Sequence, residues 1–172
     1  EPEPTAFVSP VDGMVGAFGT VESGTLFQVK GRSYQLSRLL DDPSEAERYE
    51  GGQYCTIYLS PRDYHRIHAP ISGVVSKASV IPGALMPVFT EAVEKVEELF
   101  ARNERLISYV DSADAGRVAV VKVGATLVGR MTVPYDSSLR TNQRNQSRME
   151  RTYDPPHLIQ KGGELGAFEL GS

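Results

Sequence analysis

Apolar residues along this chain occur in short runs that are separated by polar residues, glycine and proline. Seven runs stand out, several of them with β-branched side chains, and they cover residues 14–18, 25–29, 54–59, 73–80, 106–110, 118–123 and 127–133. Short runs of this kind, bounded by Gly or Pro, are typical of β-strands. The 16 glycines and 11 prolines also favour frequent turns over long helices. The pattern therefore predicts a fold built mainly from short strands.

Two segments have a pattern that fits a helix. Residues 90–100 place four apolar side chains on one face and Glu and Lys on the other, and residues 37–40 fit one short turn. Residues 41–52 are polar and are predicted to form a loop. Residues 135–156 have no apolar period and hold four arginines, so we predict a mobile loop over the functional site. These arginines suit an acidic head group, although scattered charge on a solvated loop explains them equally well.

The length of the chain, 172 residues, is sufficient for one domain with a buried core. Its 40% apolar and 23% charged residues are ordinary for a soluble globular protein. We predict an α+β fold dominated by β structure, a single compact domain of short, mostly antiparallel strands with a few short helices. This domain is predicted to cover residues 7–172, after a flexible lead-in at residues 1–6.

The formal net charge of −4 argues against a nucleic-acid partner, because neutralising phosphates requires a basic face. The same charge gives no attraction to an anionic membrane, so membrane contact has to come from a local patch or another segment. Cys55 is the only cysteine, which excludes an intrachain disulfide and a multi-cysteine zinc site. Because Cys55 lies in an apolar run, we predict that its thiol is buried. No stretch has the length of a transmembrane helix or the form of a signal peptide.

The first candidate for chemistry is Asp12, which lies in the sequence SPVDG at residues 9–13. Proline and glycine on either side hold this carboxylate in a tight turn. Asp-Gly pairs are common in turns for purely conformational reasons. A turn-forming aspartate therefore remains an alternative to a functional one.

The second candidate is a pair of histidines, His65 and His68, in a polar run at residues 60–70 that begins and ends near proline. Histidine exchanges a proton near neutral pH more readily than any other side chain, which suits acid–base chemistry. Two structural histidines explain the spacing as well. We predict no metal site, because the usual additional Cys or carboxylate ligands are missing. A metal hydrolase that uses both histidines together with His157 is the remaining alternative.

The third candidate is the pair Gly171–Ser172, which closes the chain. A Gly-Ser pair is commonly part of a linker. Here, however, residues 166–170 have the pattern of a strand that leads directly into it. A glycine before the serine removes the Cβ that would crowd attack of the serine hydroxyl on the preceding carbonyl, and it tolerates strained backbone angles.

Taken together, these segments resemble the phosphatidylserine decarboxylase family. The similarity extends from about Phe7 to Ser172. It is carried by residues 7–10 with 12–13, 58–66 with His68 and Pro70, 82–83, 99–105, 123–125 with 128–129, and the closing pattern KGxExGxFxLGS at 161–172.

The resemblance implies a proenzyme that cuts itself between Gly171 and Ser172, with Asp12, His68 and Ser172 as the processing triad. In this scheme His68 takes the serine proton, and Asp12 orients and stabilises the imidazolium. The hydroxyl attacks the Gly171 carbonyl to give an ester, and elimination leaves dehydroalanine. Hydrolysis then yields ammonia and a pyruvoyl group derived from Ser172. The β chain ends at Gly171, and a small α chain that begins with the pyruvoyl completes the fold.

The resemblance further implies a pyruvoyl-dependent carboxy-lyase that converts phosphatidylserine to phosphatidylethanolamine through a Schiff base with the substrate amine. His65 is the candidate proton donor or contact for the substrate carboxylate. The implied partners are the α chain, phosphatidylserine, a membrane surface and a second copy in a homodimer. The expected location is the inner face of the bacterial cell membrane, with this polypeptide itself soluble and inactive without the α segment.

Two alternatives of other kinds remain. The first is a β-rich carrier or binding module that has kept the fold and lost the chemistry. The second is the same decarboxylation of a different amine-bearing substrate. A carbonyl-directed hydrazine probe distinguishes the first alternative from an enzyme, and a dependence on vesicles distinguishes a lipid substrate from a soluble one.

Overall fold

The computed structural model describes residues 3, 6–27 and 33–169. Within these residues the chain forms eleven strands and four short helices. The strands are β1 (Met14–Thr20), β2 (Thr25–Phe27), β3 (Ser33–Gln35), β4 (Gln53–Tyr58), β5 (Arg66–His68), β6 (Gly73–Ile81), β7 (Arg105–Ser112), β8 (Gly116–Val123), β9 (Arg130–Thr132), β10 (Met149–Ile159) and β11 (Glu164–Glu169). The helices are α1 (Leu36–Leu40), α2 (Pro43–Glu47), α3 (Thr90–Lys95) and α4 (Leu99–Arg102). Most of the predicted lead-in at 1–6 and the end of the predicted strand 25–29 lie outside the described residues.

The strands form two larger sheets and two ribbons. The larger sheets have the orders β10-β6-β7-β8 and β5-β11-β9, while β1 pairs with β4 and β2 pairs with β3. Every pairing between these strands is antiparallel. The prediction of an α+β fold with dominant, mostly antiparallel β structure and a few short helices is therefore confirmed.

Strand β7 shows how the four-stranded sheet separates two layers of core. Ile107 and Tyr109 are buried in the layer that contains α1 and the β2–β3 ribbon. Leu106 and Val110 are buried in clusters on the opposite face, because successive side chains of a strand point to opposite sides. Leu165 of β11 belongs to this second layer. Strand β11 is therefore held against the four-stranded sheet by core packing.

A buried guanidinium ties the helices to this sheet. Arg105, at the start of β7, donates to the backbone carbonyls of Leu39 (2.6 Å), Arg38 (2.8 Å), Ala101 (2.7 Å) and Asn103 (2.9 Å). These carbonyls belong to the ends of α1 and α4, where the helix itself provides no donor. Burial lowers the pKa of Arg105 to about 10. The side chain thus acts as an internal cap for two helices.

The loop prediction for residues 41–52 is wrong at its centre, which forms α2. Asp42 precedes this helix, and its carboxylate accepts from the backbone N–H of Glu45 at 3.0 Å. Pro43 occupies the first helical turn, where its missing N–H costs no hydrogen bond. The helix is therefore specified by its capping residues, although its five residues are too few to show an apolar period.

The single helix predicted at 90–100 is divided into α3 and α4. Glu98 lies between them and has a left-handed φ of 53°. No residue of α3 is fully buried, whereas Leu99 in α4 is 1% exposed. The change of direction at Glu98 allows the second helix to pack while the first remains at the surface.

The prediction of a loop at 135–156 is wrong from Met149 onward, where β10 begins. Residues at both ends of β10 pair with β6, although most of its side chains are polar and exposed. Because backbone hydrogen bonds rather than an apolar face hold this edge strand, its sequence carries no period. Leu139 and Thr141 in the preceding segment are also buried.

Cys55 is exposed, contrary to the prediction that its thiol is buried. It lies on β4, which pairs only with β1 among the described strands. Its neighbour Tyr54 packs against the core, so the alternation of a strand points Cys55 outward, opposite Phe18 of β1. An apolar run does not show which of its residues face the core when only one face is covered.

Candidate functional site

Strand β11 organises the candidate site, because it precedes the predicted cleavage point and lies beside both candidate histidines. In its antiparallel pairing with β5, Glu164 lies opposite His68. Near the other end, the backbone N–H of Phe168 donates to the carbonyl of His65 at 2.8 Å. The two histidines are therefore aligned along the strand that leads toward the end of the chain.

His68 is held by hydrogen bonds at both ring nitrogens. Its Nδ1 lies 2.8 Å from the carbonyl oxygen of Gly162. A carbonyl oxygen only accepts, so Nδ1 carries the proton in this contact and Nε2 has the free lone pair. The Tyr64 hydroxyl lies 3.2 Å from Nε2, and the two rings stack with centroids 5.7 Å apart and planes 13° apart. The geometry thus presents Nε2 as the basic atom of His68.

The carbonyl that orients His68 belongs to a tight turn between β10 and β11. Gly162 has a φ of +79°, a left-handed conformation that glycine adopts without strain. Its N–H donates to the carbonyl of Ala69, and the N–H of Ala69 donates to the carbonyl of Gly163, each at 2.8 Å. This pair of bonds fixes the turn to the end of β5, and the imidazole partner is fixed with it.

His65 is anchored in the same way. Its Nδ1 lies 2.6 Å from the carbonyl oxygen of Asp63, so here too Nδ1 donates and Nε2 is left as an acceptor. The Asp63 side chain closes the preceding turn by accepting from the N–H of Ser60 at 2.9 Å. The ring of His65 also meets Phe168 edge-on, with centroids 6.3 Å apart. Both histidines therefore offer an unprotonated Nε2 beside β11.

The segment that carries Asp12 runs next to His68, but the two side chains do not form a hydrogen bond. The N–H of His68 donates to the carbonyl of Pro10 at 2.8 Å, which binds the segment to β5. A Cβ on Gly13 would lie 2.5 Å from the carbonyl oxygen of Tyr58, so the turn depends on glycine there. Asp12 is exposed, and its carboxylate accepts no hydrogen bond from the described residues. Gly162, rather than Asp12, holds Nδ1 of His68 in this structure.

Gly171 and Ser172, the predicted cleavage site, lie outside the described residues. The described chain reaches Glu169 in β11, whose carboxylate contacts Thr132 and Arg130 of β9 at 3.2 and 2.9 Å. Asp12, His65 and His68 are the members of the predicted site whose surroundings are described.

The third histidine does not join the other two. His157 lies on β10, in the four-stranded sheet, and it packs against Tyr153 and Tyr135 with centroid distances of 4.5 and 5.6 Å. It was expected in an exposed loop, and it lies instead half-buried in a strand. Across residues 3, 6–27 and 33–169, no group of three His, Cys, Asp or Glu side chains is arranged to hold a metal ion. The three-histidine arrangement of a metal hydrolase is therefore not formed.

One arginine of residues 135–156 is already paired within the protein. Arg148 lies 2.9 Å from the carboxylate of Asp41 and 3.0 Å from that of Glu150. Such pairs at the surface are worth little energy, but they draw this side chain toward α1 and β10.

Sequence reasoning gave no role to a buried lysine behind β11. Lys122 is 2% exposed, and its Nζ donates to Ser108 Oγ at 2.7 Å, which in turn shares a 2.6 Å hydrogen bond with the Tyr135 hydroxyl. A Cβ on Gly166 would lie 3.2 Å from Lys122 Cδ, so the lysine stem packs on β11. Burial lowers the pKa of Lys122 to about 7. The only sequence signal is a charge inside an otherwise apolar strand.

Strand β1 carries a concentration of exposed apolar side chains near the Asp12 segment. Met14, Val15 and Phe18 are 64%, 55% and 77% exposed. Among the residues that the structure describes, no helix has both the length and the apolar character needed to span a membrane.

Comparisons with known proteins agree on one family. The family model for phosphatidylserine decarboxylase matches residues 1–172. The chain is 45% identical over 172 residues to a phosphatidylserine decarboxylase proenzyme of Brevibacillus brevis, with 99% of the chain and 61% of that protein covered. It is 47% identical over 165 residues to the proenzyme of an Anaeromyxobacter species and 46% identical over 165 residues to that of Myxococcus xanthus. Those two matches cover 95% and 96% of the chain and 58% of each relative. The chain therefore spans about 60% of the length of these relatives.

Proposed function

The chain belongs to the phosphatidylserine decarboxylase family, and we propose on this basis that it is the larger part of a self-processing, pyruvoyl-dependent decarboxylase of phosphatidylserine. The product is phosphatidylethanolamine. The single observation that carries the proposal is the pair of histidines beside β11, each with Nδ1 donating to a backbone carbonyl and Nε2 available as a base. A scaffold without chemistry has no need of two bases along the strand that precedes a Gly-Ser pair.

Self-processing requires a base for the hydroxyl of Ser172. His68 suits this role because Gly162 fixes its tautomer and directs the lone pair of Nε2 outward. Transfer of the serine proton to Nε2 makes the oxygen nucleophilic toward the Gly171 carbonyl. The imidazolium that forms keeps its Nδ1–H on the Gly162 carbonyl, and the carboxylate of Asp12 supplies the opposite charge when it approaches.

The pyruvoyl group that processing leaves at Ser172 supplies an electron sink for the loss of carbon dioxide. The described residues fit such a group, since they place proton-transfer groups beside β11 and no metal-binding cluster. His65 is assigned to the substrate: its unprotonated Nε2, when charged, pairs with the substrate carboxylate or returns a proton to the carbon that has lost it. Phe168 holds the ring edge-on and limits its rotation.

The proposed partners follow from the lipid substrate and from processing. The processed protein keeps the α chain bound to the β chain and acts as a homodimer at the inner face of the bacterial cell membrane. The exposed apolar side chains of β1 support contact with a membrane surface, because Phe18 and Met14 leave most of their area in water. With a net charge of −4 in this chain, apolar contact rather than long-range attraction is the means of adhesion.

The test is intact-protein mass spectrometry of the full-length gene product. We expect two fragments, one ending at Gly171 and one whose mass is that of a serine-started chain corrected for conversion of the serine to pyruvoyl. A single uncut mass contradicts self-processing. A hydrazine-type probe then checks the carbonyl, and its failure to label the protein indicates a carrier or binding module.

Substrate class is tested with the processed protein. Carbon dioxide release from phosphatidylserine vesicles is compared with release from soluble serine and from phosphatidylserine dispersed as monomers. Release that requires vesicles supports the lipid assignment. Equal release from a soluble amine-bearing acid replaces the lipid with another substrate while leaving the pyruvoyl chemistry in place.

A further inference from the structure

Tyr64 contacts the one atom of His68 on which the proposed self-processing depends. Its hydroxyl lies 3.2 Å from Nε2, the nitrogen that has to receive the serine proton. Because Nδ1 is occupied by the Gly162 carbonyl, the Tyr64 hydroxyl acts as donor and Nε2 as acceptor. The base is therefore already engaged when no other residue is bound to it.

The contact requires a specific bend of the backbone. Residues four apart in an extended strand lie about 13 Å apart, at roughly 3.3 Å per residue. The ring centroids of Tyr64 and His68 are only 5.7 Å apart, and the planes are nearly parallel. Strand β5 begins at Arg66, and the turn closed by Asp63 and Ser60 folds Tyr64 back over the imidazole.

Tyr64 is also free enough to leave. It is 48% exposed, and Nε2 of His68 is the only hydrogen-bond partner of its hydroxyl among the described residues. Rotation of the tyrosine away from Nε2 thus breaks one neutral hydrogen bond and one ring contact. It disturbs no core packing, because neither ring belongs to a core cluster.

We propose that Tyr64 is a positioning residue with two separable effects on His68: its ring holds the imidazole in place by stacking, and its hydroxyl occupies Nε2 until the serine hydroxyl displaces it. The inference rests on the proposed self-processing. The ring accelerates cleavage, because an oriented base needs no search for its geometry. The hydroxyl slows cleavage, because it competes with Ser172 for the same lone pair. Two substitutions at one position therefore act in opposite directions.

The kinetic test follows the rate of self-cleavage of the full-length precursor, synthesised in a cell-free reaction and sampled over time. Tyr64→Phe keeps the ring and removes the competitor, so cleavage is expected to be up to about fivefold faster, the factor that one neutral hydrogen bond contributes. Tyr64→Leu removes both, and cleavage is expected to be at least about tenfold slower than in Tyr64→Phe and slower than in the wild type. Equal rates, or slower cleavage in both variants, overturn the proposal; the latter result identifies the hydroxyl as a proton relay.

The matched control is Tyr49→Phe. The Tyr49 hydroxyl forms no hydrogen bond within the described part of the chain, and the ring packs against the core layer that contains α1. Its loss is expected to leave the cleavage rate unchanged. Acceleration by this control as well shows that the effect of Tyr64→Phe is not specific to His68.

A second measurement does not depend on cleavage. In the full-length Ser172→Ala precursor, labelled with ¹⁵N-histidine, the ring nitrogens of His68 are assigned by comparison with a His68→Gln variant. At a pH where the imidazole is neutral, Nδ1 is expected to carry the proton, and Tyr64→Phe is expected to shift the Nε2 resonance alone. A proton on Nε2, or no shift in Tyr64→Phe, overturns the contact.

The two measurements separate the failure of this inference from the failure of the proposed function. An Nε2 contact in a wild-type protein that never cuts itself leaves the contact in place and removes self-processing. Normal cleavage without the contact leaves self-processing in place and removes the role of Tyr64.

Discussion

Lys122 donates from a fully buried Nζ to Ser108 Oγ at 2.7 Å, and no carboxylate forms an ion pair with it in the described ranges. Its pKa falls to about 7 because burial penalises the charged form. In the unfolded chain the same amine titrates near 10.5. The unfolded state therefore binds more protons between these two values.

The first prediction is that stability rises with pH through this window. The free energy of unfolding is expected to increase from pH 7 toward pH 10 by up to about 1.4 kcal/mol per pH unit. Urea unfolding of the full-length Ser172→Ala precursor, which remains a single chain, measures it. Above pH 10 tyrosine ionisation in the unfolded state opposes the rise, because burial raises the pKa of Tyr109 and Tyr135.

Lys122→Met is the matched variant for this pH effect. It keeps an unbranched stem against Gly166, and it leaves Ser108 bonded to Tyr135. We expect it to be more stable than the parent at pH 7 and to lose most of the pH slope. A slope that persists in Lys122→Met assigns the effect to another group.

The second prediction concerns the left-handed turn that orients His68. Gly162→Ala puts a Cβ at a φ of +79°, where strain rather than collision is the cost, since no atom lies within 4 Å of the added carbon. A stability loss of about 1 kcal/mol is expected, together with a clear fall in the rate of self-cleavage as the carbonyl shifts. Intact mass spectrometry over time measures the cleavage.

Gly116→Ala is the control for this variant, because Gly116 has a φ of +69° and equally open surroundings in the turn between β7 and β8. It is expected to lose similar stability and to keep normal cleavage. Equal loss of cleavage in both variants attributes the effect to stability alone and contradicts a role for the Gly162 carbonyl.

The third prediction separates the two histidines. His68→Gln is expected to leave the precursor uncut, because glutamine cannot accept the serine proton. His65→Gln is expected to cut itself and then to decarboxylate phosphatidylserine at least about a hundredfold more slowly. Cleavage by mass spectrometry and carbon dioxide release measure the two steps. An exchange of these phenotypes reverses the assignment of the bases.

The fourth prediction concerns the internal cap. Arg105→Met leaves four buried carbonyls without their donor, so a loss of about 3 kcal/mol or more in the free energy of unfolding is expected. Arg105→Lys should recover little, because one ammonium cannot span the ends of α1 and α4. Arg102→Met, at an exposed position of α4, is the control and is expected to change stability by less than about 0.5 kcal/mol.

Much of the fold could be predicted from local patterns, because the repeat of a strand and the punctuation by Gly and Pro are properties of neighbouring residues. All seven predicted runs overlap a strand. The failures have specific causes. Helix α2 is specified by the cap at Asp42 rather than by a period, and β10 is held by backbone bonds to β6 that its polar side chains do not reveal. The exposure of Cys55 depends on the β1–β4 ribbon having only one covered face.

The sequence by itself determined which residues are available for chemistry: His65 and His68 three residues apart, Asp12 in a Pro/Gly turn, and a strand leading to Gly171 and Ser172. Only the tertiary structure decided how they are arranged. The partner of His68 Nδ1 is Gly162, 94 residues away, and the phenol over Nε2 depends on the fold of one short turn. Likewise, Lys122 is perturbed only because two sheets close over it. A residue type is written in the chain, but a tautomer, a hydrogen-bond partner and a desolvation cost arise from groups that the chain brings together from a distance.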